Sequence, residues 1–149
     1  MKKILSALAL FSLTALPAFA AGQHNTAPAP DKKAAATAGN PLLEEMFTLD
    51  SAFKEIVSGV ALGDGARVHG AVESLHGKSE RTTEALHSGK IKPPKNPDKI
   101  MEFEKLDGEF HSDLEALASA AGKNDQKMML SAAKRLLDGC VNCHKTYRK

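Results

Sequence analysis

Two cysteines and a histidine stand together near the end of the chain, as Cys140-Val141-Asn142-Cys143-His144, and these are the only cysteines in its 149 residues. On a helix, residues three and four apart share a face. The two thiols can therefore each add to one vinyl group of the same porphyrin, with His144, at i+4 from Cys140, held beneath the iron as proximal ligand. Cys-x-x-Cys-His is the attachment sequence of c-type haem. Three other chemistries compete for the same residues. A redox dithiol of thioredoxin type needs a strand-to-helix setting with its first Cys at a helix start. A structural zinc site needs four ligands, of which Cys140, Cys143 and His144 are local and the fourth would come from His87 or His111. A plain disulfide is the third. The position of the pair in a helical, export-directed chain favours covalent haem.

The elements that must hold these residues are read from apolar spacing. After Pro41 the stripe Leu42, Met46, Leu49, Phe53, Val57 and Val60 predicts a helix to about Leu62, stopped by Gly63-Asp64-Gly65. A second stripe, Val68, Val72, Leu75, Ser79, Thr82 and Leu86, is weaker and interrupted by Gly70 and Gly77, each costing a helix about 1 kcal/mol relative to Ala. The stretch from Ser88 to Lys95 cannot continue a helix. Asn96-Pro97-Asp98 then offers a cap, a first-turn proline and a first-turn acid for a third helix with the stripe Ile100, Phe103, Leu106, Phe110, Leu114, Leu117 and Ala121, ended by Gly122. A fourth runs from about Asn124 with Met129, Ala133, Leu136, Cys140, His144 and Tyr147 on one line. The fold expected is all-α, an antiparallel up-down-up-down four-helix bundle with its chemistry on the core-facing side of the last helix.

Ahead of this domain, residues 41–149, lie two segments of different character. Lys2 and Lys3, an apolar run from Ile4 to Leu16, Pro17 and Ala18-Phe19-Ala20 read as a secretory signal peptide, residues 1–20, cut after Ala20. The run is shorter than the ~20 residues a spanning helix needs, so no membrane span is expected after processing. Residues 21–40 hold no apolar residue larger than Ala and read as a flexible leader, with His24 solvated in it. The expected location is the periplasm, where c-type haem is attached. The formal charge of +2 rests on Lys2 and Lys3, which leaves the rest balanced and excludes an electrostatic case for nucleic acid. The balance is patterned, because residues 98–115 are strongly acidic while residues 123–149 are strongly basic. Lys134, Arg135, Lys145, Arg148 and Lys149 would form a basic collar near the haem edge, facing an acidic redox partner, or would simply attract the acidic helix beside them.

The run Cys140-Val141-Asn142-Cys143-His144-Lys145-Thr146-Tyr147-Arg148 resembles the C-terminal motif of the cytochrome c′ family, the class II c-type cytochromes, in which the haem pentapeptide is followed by an aromatic residue and then Arg. The resemblance covers Pro41 to Lys149 in helix count, order and attachment position. It implies one covalent haem c, a four-helix bundle, periplasmic or membrane-bound redox partners, and a homodimer through the first two helices, as is frequent among these relatives. It also implies that Arg148 lies beside the proximal imidazole or a propionate.

What the iron does depends on its sixth position. With the first and last helices antiparallel neighbours, the start of the first lies beside the end of the last, and Met46 sits at the centre of its stripe. Met46 is either flexible core filler or a thioether ligand. The resemblance points to the ligand, because low-spin members of the family take a Met early in the first helix while high-spin members leave the position open to small gases. Leu43 and Phe47 are the expected neighbours of this distal pocket. His69, His76 and His87 border the second helix about 90° from its apolar line, and His111 lies about 80° off the third, so all are weaker candidates. The expected function is single-electron transfer through a His/Met-ligated iron, the chain not being an enzyme; the alternative is binding of nitric oxide or carbon monoxide at an open sixth position. Catalytic turnover would call for distal acid–base groups, and the first helix offers only Glu44 and Glu45, with no inward placement legible.

Overall fold

The computed structural model describes residues 39–149; the expected signal peptide and all but the last two residues of the leader lie outside them. Five helices follow one another: α1 Pro41–Leu62, α2 Gly65–Glu73, α3 Lys78–His87, α4 Ile100–Gly122 and α5 Gln126–Tyr147. They build an all-α antiparallel four-helix bundle in which α2 and α3 together form the second arm. α1 packs on α2, α3 and α5, and α4 packs on α2 and α5.

Local chemistry sets most of the boundaries. Asn40 caps α1 by accepting from the Leu43 N–H at 3.3 Å, with Pro41 in the first turn, where its missing N–H costs nothing. Gly63, at φ +69°, ends α1, and its N–H and that of Asp64 return to the carbonyls of Val60 and Gly59. Asp64 and Asp125 cap α2 and α5 by accepting from the N–H groups of Arg67 and Met128, each at 3.0 Å. The second arm breaks at Gly77, which takes φ +74°, whereas Gly70 stays inside α2.

The start of α4 differs from the reading of Asn96-Pro97-Asp98. Asn96 takes φ +52° and the helix begins four residues later, at Ile100, without a side-chain cap. The Asn96 amide is used elsewhere, donating to the Thr146 carbonyl at 2.8 Å. Beside it the Lys95 N–H donates to the Tyr147 carbonyl at 3.1 Å, the Lys95 ammonium donates to the Lys145 carbonyl, and the Tyr147 hydroxyl donates to the Lys99 carbonyl. The long connection thus satisfies the last three carbonyls of α5, which a helix cannot satisfy internally.

Two apolar clusters fill the bundle. The larger runs through Ile56, Val68, Val72, Leu114, Leu117, Met129 and Leu136. The smaller, at the end where α1 starts and α5 finishes, consists of Leu42, Leu86, Phe103 and Tyr147, with Met46, Ile91, Ile100, Leu106 and Cys143 against it. Phe103 and Tyr147 meet edge to face, ring centroids 5.1 Å apart. The buried side of α1 is rotated from the stripe read in the sequence: Glu45, Ala52 and Ile56 are buried, while Val57 is 50% exposed. An element wedged between three neighbours buries an arc rather than a line, and the centre of this arc lies about 40–60° from the Leu42–Val60 line.

Candidate functional site

The pentapeptide lies in the last two turns of α5, with both thiols half-buried and free. Gly139, just before it, allows the Phe110 ring of α4 to come close: a Cβ there would stand 3.2 Å from that ring. Burial pushes both thiols above the ordinary range, and for Cys143 the charge of Asp107 adds to the effect. A redox dithiol needs the opposite shift. His144 is exposed at the rim of the buried face, and its carbonyl accepts the Arg148 N–H at 3.1 Å. α5 ends at Tyr147, so Arg148 is its exposed C-cap in extended conformation.

The first and last helices are antiparallel neighbours, as the Met46 argument requires. At one end Leu42 and Tyr147 share a cluster, and at the other the Gln126 amide donates to the Val60 carbonyl at 3.4 Å. Met46 and Cys143 pack against that same apolar cluster, one from each helix. Phe47 is half-buried. Leu43 is not brought to the cluster: it is 39% exposed, and Leu42, one residue earlier, takes the inward position. Two half-buried thiols at a helix end, Cys143 against an apolar cluster, and an adjacent imidazole that is exposed rather than on the inward line expected of it are the donor types that could hold a covalent haem.

Neighbouring residues were read differently in the sequence. Glu45, for which no inward placement was legible in the sequence, is 1% exposed and buried against α4. His111, a weaker ligand candidate in the sequence, is half-buried at the core boundary and has its Nε2 3.1 Å from Glu45 Oε1 and 3.7 Å from Asp107 Oδ1. The bond from Glu45, against the cost of burial, raises the His111 pKa; burial and the nearby Glu45 charge raise that of Asp107. The Ser79 hydroxyl of α3 donates to Asp107 Oδ2 at 3.3 Å. His69 and His76 are exposed on either side of Glu73, and exposed His87 lies 2.6 Å from Glu104.

The charge pattern is used in two ways. Arg135 on α5 reaches Asp113 on α4 at 2.6 Å, tying the basic helix to the acidic one. Lys134, Lys145, Arg148 and Lys149 stay exposed. The loop clasped to the end of α5 adds exposed Lys95 to them, a contribution the linear sequence hides because it comes from fifty residues away. Among the described residues no helix is long and apolar enough to cross a membrane. Comparison of the chain with family models, with curated proteins and with solved structures found no match.

Proposed function

We propose that this chain is an exported electron carrier of the class II c-type cytochrome kind, in which Cys140 and Cys143 would hold one haem c and His144 and Met46 would be the two protein ligands to its iron. The observation that carries the reading is the meeting of Met46 and Cys143 on one apolar cluster at the end of the bundle that bears the pentapeptide. Bound haem would supply an iron that gains and loses single electrons. The chain's own residues do the rest. Leu42, Leu86, Phe103 and Tyr147 exclude water from the cluster, and a thioether from Met46 favours the reduced state relative to a second imidazole. Lys95, Lys145, Arg148 and Lys149 gather positive charge around the same end, which suits an acidic redox partner, periplasmic or membrane-bound.

The test is mass spectrometry and a spectrum of protein purified from the exported fraction. The mature polypeptide plus one haem that survives acid–acetone extraction, with a low-spin ferric spectrum, is the expected result. Loss of haem on extraction would refute covalent attachment. A high-spin ferric spectrum at neutral pH would refute Met46 ligation and turn the reading to gas binding at an open sixth position.

A further inference from the structure

Beside the apolar cluster lies a polar group drawn from two helices, with one member buried and two half-buried. Glu45 comes from α1, and Asp107 and His111, four residues apart on one face of α4, come from the opposite side. One ligand atom from each lies within 4.8 Å of the other two, and among the described residues no other such group of histidines, cysteines and acids occurs. The second observation is the state of Glu45. Its carboxylate is fully buried, Oε1 is bonded by His111, and Oε2 has no hydrogen-bond partner. An orphaned carboxylate oxygen in the interior is costly. A cation bound between the three side chains would give that oxygen a partner.

We propose that Glu45, Asp107 and His111 form a binding site for a divalent first-row transition ion such as zinc. One neutral imidazole and two carboxylates are the ligand types that zinc, manganese and ferrous iron accept, and three protein ligands leave room for water in the remaining positions. Atoms about 2.0–2.2 Å from a shared ion stand roughly 3–4 Å apart, so the observed separations close on it by side-chain rotation. The His111 Nε2 that donates to Glu45 without an ion gives up its proton and becomes the nitrogen ligand. Ser79, donating to Asp107 Oδ2, and the Phe110 ring, edge-on to His111 with centroids 5.9 Å apart, hold two of the ligands in orientation. The site adjoins the end read as the haem site, since Glu45 precedes Met46 and the charge of Asp107 acts on Cys143, but none of its three ligands is a proposed haem ligand.

The experiment is a zinc titration of the mature chain from the exported fraction, stripped with chelator and with any free thiol alkylated so that cysteine offers no ligand. Calorimetry should give one zinc ion per chain, and the melting temperature should rise on zinc addition. Glu45→Gln and His111→Gln should each weaken binding by more than about tenfold, at least what losing an outer-shell partner costs. Asp113→Asn, which only faces Arg135, should leave it unchanged. Far-ultraviolet circular dichroism checks folding, and His111, less buried than Glu45, keeps the test decisive where a Glu45 variant fails to fold. Absence of stoichiometric zinc, or equal binding in folded wild type and His111→Gln, would overturn the proposal.

Discussion

Glu45 and Met46 are neighbours in sequence yet face different parts of the interior, because one step along a helix turns a side chain by about 100°. Met46 goes to the apolar end and Glu45 to the acid–imidazole group on α4. The two positions therefore report on different chemistry. Met46→Leu keeps an apolar side chain of similar volume, so the fold should lose less than about 1.5 kcal/mol. On the proposed ligation by His144 and Met46, wild type should be low-spin and slow to take up carbon monoxide, and the variant should be high-spin and take it up rapidly. Absorption spectra with and without carbon monoxide read both changes. The meeting of Met46 and Cys143 at one end of the bundle was legible in the sequence through apolar spacing. Glu45 was not, because a glutamate on a helix reads as solvated until its partner is known, and His111 comes from sixty-six residues away.

The second arm puts two glycines into contrast at the scale of the element. A Cβ at Gly70 or at Gly77 would meet nothing within 4 Å, so the two differ only in backbone conformation. Gly70 is helical within α2, and Gly70→Ala should stabilise the protein by up to about 1 kcal/mol. Gly77 sits at φ +74°, where a side chain costs about 1–2 kcal/mol, so Gly77→Ala should destabilise it by that amount. Thermal or urea denaturation should give opposite signs for the pair. The sequence announced all four arms of the bundle by their apolar spacing, and it marked the second as weak. It could not say which glycine breaks the arm, because both cost a helix the same in isolation and only the turn's geometry separates them. The displaced start of α4 has a similar cause, since the hydrogen bond that draws Asn96 away ends on Thr146 of a distant helix.

Across the whole molecule, the acidic α4 and the basic α5 lie side by side, and the Arg135–Asp113 pair absorbs only part of the charge. The bases left exposed at the end of α5, joined by Lys95, gather positive charge there, with exposed Asp98 and Glu102 of the neighbouring α4 start offsetting part of it. The field of such a charge acts on encounter more than on the bound complex. Electron transfer with an acidic partner protein should therefore slow as ionic strength rises through the range where the Debye length shrinks to about 8 Å. Lys145→Glu should slow it further at low salt and matter little at high salt. Stopped-flow rates at several salt concentrations decide, and a rate indifferent to salt would remove the collar from the account of partner choice.

The loop that clasps the end of α5 also carries information about time. Its bonding groups, at Lys95, Asn96 and Lys99, precede in the chain the carbonyls and hydroxyl they hold, at Lys145, Thr146 and Tyr147. During synthesis the receiving loop thus emerges well before the helix end it must receive. The thiols of Cys140 and Cys143 precede the three carbonyls that fasten their helix, at Lys145, Thr146 and Tyr147. The clasp can therefore close only after the pentapeptide itself has been made, and its closing is a late event at that end of the bundle.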